Sequence, residues 1–143
     1  MTAPTQISIT SFAESAADIR SVRDTVFGHE QHVAREIDFD GTDPDCVHVV
    51  ATDAGGTPIG TGRIQPDGRI GRLSVLKGWR GQGIGARMLE ALVVSARGRG
   101  LEKVYLHAQV QAIPFYEKRG FERDGAEFLE AGMRHMTMTR GAG

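Results

Sequence analysis

Cysteine is almost absent: Cys46 is the only one in 143 residues, which excludes an internal disulfide and a cysteine-cluster metal site. Its neighbours Val47, Val49 and Val50 point to a buried, unreactive thiol. Long apolar runs are missing as well. Nowhere do 18 consecutive apolar residues occur, and the first 20 residues lack the apolar stretch of a signal peptide, so a cytoplasmic protein without membrane attachment is expected. No Lys-Ser or Lys-Thr pair exists, which rules out a Walker A phosphate loop. The five histidines, His29, His32, His48, His107 and His135, form no HxxxH pair, so no metal site is expected. Basic residues form no run and the pI is near 6.5, which argues against a nucleic-acid partner.

What remains is an ordinary globular composition, 40% apolar and 24% charged, at a length suited to one domain spanning residues 1–143. The net charge is only −1 but is unevenly spread. Residues 1–58 carry ten Asp/Glu against three Lys/Arg, whereas residues 59–103 carry nine Lys/Arg against three Asp/Glu. A basic middle suits phosphates, and an acidic first segment suits an amine.

Gln6–Ser11 alternates as a strand, with Ile7 and Ile9 on one face. Ser15 is placed to cap a helix over Ala16–His29 whose face carries Ile19, Val22, Val26 and Phe27. An acidic loop, Glu36–Asp45, follows. Strands are expected at Cys46–Asp53, Pro58–Gln65 and Arg69–Val75, the first two joined by the turn Ala54-Gly55-Gly56-Thr57. A helix opens at Gly81–Gly85 and runs to Arg99 along the stripe Ile84, Met88, Leu92 and Ala96. After it come a strand at Lys103–Gln109, a short helix at Ile113–Arg119, and strands at Phe121–Glu127 and His135–Arg140 joined around Gly132.

The segment from Ile70 to Gly85 leads a strand through a glycine-rich turn into a helix. Unpaired N–H groups converge at such a helix start, and glycines at 81, 83 and 85 would let a phosphate approach the main chain, with Arg80 beside it. A dinucleotide fingerprint fits poorly. Gly81-Gln-Gly83-Ile-Gly85-Ala86 has the spacing, but the next strand reaches His107 where a ribose-binding acid is needed.

Arg80-Gly-Gln-Gly83-Ile-Gly85 matches the (Arg/Gln)-x-x-Gly-x-(Gly/Ala) motif of the GNAT superfamily of N-acetyltransferases, which the chain resembles. The sequence Gln109-Val-Gln-Ala112-Ile-Pro-Phe115-Tyr116-Glu-Lys-Arg-Gly120-Phe121 is similar to that family's second signature, with Gln109 where the family has Asn. The resemblance implies an α/β (α+β) fold, a mixed central sheet of about six to seven strands flanked by about four helices. It implies a splayed strand pair that takes acetyl-CoA as cosubstrate. The main chain of Leu73, Ser74 and Val75 would pair with pantetheine, while Arg80, Gly81, Gln82, Gly83, Ile84, Gly85 and Ala86 would hold the pyrophosphate. Gln109, Ala112, Phe115 and Tyr116 would complete the cosubstrate site.

The implied reaction is attack of an unprotonated primary amine on the thioester. Tyr116 matches the family's general-acid position, able to protonate the leaving thiolate. For removing the amine proton, Glu30 is the leading candidate, because it follows the apolar face Val22–Val26–Phe27 and begins a polar cluster. Glu36, Asp38, His48 and His107 are the alternatives. Phe27, Glu30, Gln31 and His107 are expected to line the acceptor site. The expected acceptor is a small molecule; a protein N-terminus or lysine is the alternative, and a non-catalytic acyl-CoA sensor or interaction module is the rival of a different class. Edge strands near the C-terminus would be able to pair two copies into a homodimer.

Overall fold

The computed structural model describes residues 4–143. Eight strands form one sheet in the order β1-β2-β3-β4-β5-β8-β6, with β7 also on β8. They are β1 (Gln6–Ser11), β2 (Val47–Thr52), β3 (Pro58–Ile64), β4 (Arg69–Val75), β5 (Lys103–Gln109), β6 (Glu122–Arg123), β7 (Phe128–Glu130) and β8 (Met133–Gly141). The helices are α1 (Phe12–Arg23), α2 (Arg35–Asp38), α3 (Ile84–Gly98) and α4 (Ile113–Glu117). Every neighbouring pair is antiparallel except β4 with β5, whose parallel alignment is permitted by the α3 crossover between them.

The apolar stripe of α3 is the centre of the core. Met88, Leu92, Val93 and Ala96 are fully buried against Val49, Ala51, Ile64 and Val104 from the sheet. This packing explains two glycines of β3: a Cβ on Gly60 would lie 2.9 Å from Met88 Cε, and one on Gly62 would lie 2.8 Å from Leu73 Cδ1. The alternate residues of β2 face α1, where the ring of His48 lies 5.6 Å from that of Phe12.

Three sequence expectations change. The first helix starts at Phe12 with Ser11 as its cap, Ser11 Oγ accepting from Glu14 N at 3.2 Å, while Ser15 lies inside with non-helical φ −125° and ψ 21°. Its end widens into π-helical turns over Asp24–Glu30, with Gln31 N donating to Val26 O at 3.1 Å. The segment Phe121–Glu127 is not one strand. It breaks after Arg123, and β7 then returns through a two-residue turn in which Ala131 and Gly132 both take positive φ, 52° and 75°. That turn geometry matches strand twist but is usually signalled by Asn-Gly, so Ala-Gly hid the hairpin.

The acidic loop is also different in kind from the expected anionic patch. Arg23, only 1% exposed, donates to Asp38 Oδ1 at 2.9 Å and to Asp43 Oδ1 at 2.7 Å. Arg63 bonds Asp43 Oδ1 at 2.8 Å and Asp40 Oδ2 at 3.1 Å, and Arg72 lies 3.2 Å from Asp38 Oδ1. Burial alone would raise the Asp43 carboxyl, but hydrogen bonds from Arg23 and Arg63 outweigh it and hold the group below the usual carboxylate range. Three of the loop's acids therefore neutralise arginines of the fold. Cys46 is buried as expected, and burial pushes its thiol up.

Candidate active site

β4 and β5 pair only at Arg69↔Tyr105 and Ile70↔Leu106. Beyond these residues the strands part. On β4 the departure coincides with a bulge: Thr61 pairs with Ser74 and Arg63 with Gly71, so Arg72 and Leu73 together oppose Gly62. Arg72 takes φ 53°, a left-handed conformation unusual for a side-chain-bearing residue. Its guanidinium holds the bulge to the acidic loop, Nε donating to Asp38 O and Nη2 to Ile37 O, each at 3.1 Å. Gly71 has no positive φ, and the bulge turns on Arg72.

The parting strands border a cavity of about 340 Å³. Of the residues proposed from sequence, Phe27, Gln31, Leu73, His107, Gln109, Ala112 and Tyr116 line it. The wide turns of Asp24–Glu30 carry Phe27 and Gln31 there, and Gln109 Nε2 meets Gln31 Oε1 at 3.4 Å. Tyr116 stands on α4, edge-on to Phe115 at 5.1 Å and Phe121 at 5.8 Å. Its hydroxyl has no hydrogen-bond partner among the described residues, and burial pushes the phenol up to about 12. A phenol so shifted stays protonated at neutral pH and is suited to donating a proton.

The glycine-rich turn reaches this region through Gly85, where an added Cβ would lie 3.6 Å from Cζ of Phe115, the ring edge-on to Tyr116. Gly81 and Gly83 take φ 79° and 81°, and Gly83 caps α3 with no side-chain hydrogen bond. The first main-chain bond into the helix runs from Arg87 N to Gly83 O, leaving the amides before it pointing outward without intrahelical partners. Arg80 is already engaged: Nε donates to Val75 O at 2.9 Å and Nη2 to Glu30 Oε2 at 2.7 Å. Glu30 is thus held by Arg80 and does not line the cavity. Ser74 and Ile84 are buried, and Phe115 packs behind Tyr116 with Arg119 stacked 4.0 Å from its ring centroid. His48 lies on the α1 side, bonding Asp43 O at 2.9 Å, with burial pushing it down.

The cavity wall contains residues that the sequence reading did not single out, above all Arg69, Arg72, Glu130 and His135. Arg69 alternates correctly along β4, but Glu130 belongs to the hairpin hidden by Ala131-Gly132. No local pattern marks these residues, because their partners are distant in sequence.

A family model for the acetyltransferase (GNAT) domain matches residues 12–141. The chain belongs to the GNAT family. This GNAT chain is 37% identical over 131 residues to YjcF of Bacillus subtilis, an uncharacterized N-acetyltransferase, spanning 89% of this chain and 93% of that protein. A solved structure from Lactobacillus plantarum superposes with a TM-score of 0.89 at 26% identity, covering 96% of this chain and 98% of the other. An acyl-CoA N-acyltransferase from Pseudomonas aeruginosa gives 0.84 at 25% identity, covering 96% and 99%. The GNAT chain is accordingly an N-acetyltransferase of a family that uses acyl-CoA. Its own backbone fits such a cosubstrate: unpaired strand edges face the gap past Ile70 and Leu106, and free amides stand at the start of α3. No helix among the described residues is long and apolar enough to cross a membrane.

Proposed function

We propose that this single-domain protein transfers an acetyl group from acetyl-CoA to the primary amine of a small molecule. The observation that carries this reading is the opening of β4 from β5 directly beside Tyr116 and the uncapped start of α3. In this reading the main chain of Leu73, Ser74 and Val75 binds pantetheine, and the amides from Gly81 to Ala86, with Arg80, hold the pyrophosphate. Gln109, Ala112 and Phe115 flank the arm. Acetyl-CoA supplies a thioester carbonyl and a thiolate leaving group. Tyr116 donates its proton at the sulfur, and the cavity walls Phe27, Gln31 and His107 hold the amine in place. The cavity of about 340 Å³ is on the scale of a small-molecule site, which supports a small acceptor.

The test is acetyl-CoA consumption across a panel of primary amines, with the acetylated product weighed by mass spectrometry. Amine-dependent thiol release with one product per thiol is expected; cosubstrate binding without release would mark a sensor instead.

Two binding predictions follow from the turn. Gly83→Asp adds a carboxylate where the pyrophosphate would lie, in open space with nothing within 4 Å of the new Cβ. Asp tolerates positive φ better than most residues, so the fold should survive while CoA affinity falls at least about tenfold, roughly 1.4 kcal/mol. Calorimetry on the folded variant checks it, and unchanged affinity would remove the assignment. Glu30→Gln works in the opposite sense. Glu30 competes with the pyrophosphate for Arg80, and the pair is partly exposed, at 44% for Arg80 and 30% for Glu30. Releasing Arg80 should tighten CoA binding by up to about fivefold, the scale of an exposed ion pair of roughly 0.2 to 1 kcal/mol. Weaker binding in the same titration would mean that Glu30 supports the cosubstrate.

A further inference from the structure

We infer that His107 is the proton acceptor for the incoming amine, with Glu130 and Arg69 as its positioning residues; this rests on the acetyltransfer reading of the same cavity. Three elements converge on the imidazole. His107 stands on β5 just past its last pair with β4, Arg69 on β4 one residue before the last paired step Ile70↔Leu106, and Glu130 at the end of β7. His107 Nδ1 lies 3.0 Å from Glu130 Oε2 and 3.0 Å from Arg69 Nη2, and Arg69 Nη2 donates to Glu130 Oε1 at 3.1 Å. All three line the cavity that Tyr116 also lines.

The partners assign the tautomer. Arg69 Nη2 has its own acceptor in Glu130 Oε1 at 3.1 Å and need not donate to Nδ1, whereas Glu130 Oε2 has no donor other than Nδ1 among the described residues; the carboxylate takes both hydrogens, and Nδ1 carries one of them. Nε2 then keeps its lone pair, which is what a base needs. The ring cannot turn freely, because Phe128 packs edge-on against it with centroids 5.0 Å apart. Arg69 fixes the carboxylate that fixes the ring.

The other sequence candidates are engaged or placed elsewhere. Asp38 touches the cavity but is bound to Arg23 and Arg72, Glu30 is bound to Arg80, His48 stands on β2 bonded to Asp43 O, and Glu36 is exposed on α2; neither of the last two lines the cavity. The charged and titratable groups around His107 are Arg69 from β4, Glu130 from β7, Tyr105 on its own strand with its hydroxyl held by Asp67, and His135 from β8 beyond Phe128.

The proton balance closes. An ammonium loses one proton to Nε2, and the freed nitrogen lone pair forms the C–N bond as the C–S bond breaks. The second nitrogen proton, lost as the amide forms, replaces the one Tyr116 gives to sulfur, and His107 returns its proton to solvent. Acetyl-CoA and an ammonium become an amide, a thiol and one released proton.

The test compares an alkylamine from the panel, an ammonium at neutral pH with a pKa near about 10.4 by analogy with lysine, with methoxyamine, which is already neutral. His107→Gln should lower kcat/KM for the alkylamine about 10²-fold or more, and for methoxyamine by less than about tenfold. In kcat profiles at saturating alkylamine, Glu130→Gln should move the acidic limb to lower pH by removing the charge that favours imidazolium. Arg69→Met should move it to higher pH by removing a like charge. A merely structural role would not move the limb in opposite directions. Imidazole NMR titrations of wild type, Glu130→Gln and Arg69→Met give the same two directions without any acceptor. An undiminished alkylamine rate in His107→Gln, or limbs that do not move, would overturn this assignment alone. Absence of turnover with every amine would overturn the acetyltransfer reading and this assignment with it.

Discussion

Tyr116→Phe is expected to lower kcat by roughly 10²-fold or more while CoA affinity stays within a few-fold. The variant keeps the ring, and with it the edge-on contacts to Phe115 and Phe121 that hold α4 against the core. It loses only a hydroxyl that has no hydrogen-bond partner among the described residues, so the folded protein should be little disturbed. The phenol raised to about 12 remains protonated across the working range, which makes it a donor and not a base at neutral pH. Single-turnover kinetics with a saturating amine isolate the chemical step. An unchanged rate under those conditions would make Tyr116 a packing residue.

Arg23→Met should destabilise the fold by about 3 to 5 kcal/mol, because a fully buried cation would leave behind carboxylates that remain buried. Arg63 and Arg72 retain part of the network, so Asp43 and Asp38 keep one partner each. The loss should depend on pH. Asp43 is held below the usual carboxylate range, against the opposing effect of burial. Its contribution is therefore complete above the unfolded carboxyl value of about 3.9 and fades as pH falls through the lower folded value. Urea unfolding should show the gap between wild type and Arg23→Met narrowing below about pH 4. A constant gap would mean that the arginine acts through packing alone. Because Arg72 and Asp38 also border the cavity, the same variant should lose activity along with stability.

The contrast between these two residues shows what the sequence discloses. Tyr116 and the Arg80–Gly85 turn stand out in the sequence because each lies in a short contiguous motif that resembles a GNAT signature. The α3 stripe and the alternation of Val104, Leu106 and Ala108 are legible as local periods written by burial. Arg23 is not. It sits near the end of a helix, where a basic residue is unremarked, and its partners lie 15 and 20 positions away. Of the ten acids before residue 59, Asp38, Asp40 and Asp43 read as part of a surface patch until Arg23, Arg63 and Arg72 fold onto them. The Arg69–His107–Glu130 cluster is further still from any local signal: Arg69 and Glu130 are 61 positions apart, joined only when the hairpin at Ala131-Gly132 closes. Long-range pairing of polar side chains has no period, so sequence shows the scaffold of the site before it shows the charges within it.

A crystal structure of the protein with acetyl-CoA tests the central claim most directly. The account predicts the pantetheine arm between β4 and β5 beyond Ile70 and Leu106, the pyrophosphate on the amides of Gly81 to Ala86, and the sulfur within hydrogen-bonding reach of the Tyr116 hydroxyl. A thioester lying outside the gap, or a β4–β5 ladder that closes over it with Tyr116 remote from the sulfur, would contradict it.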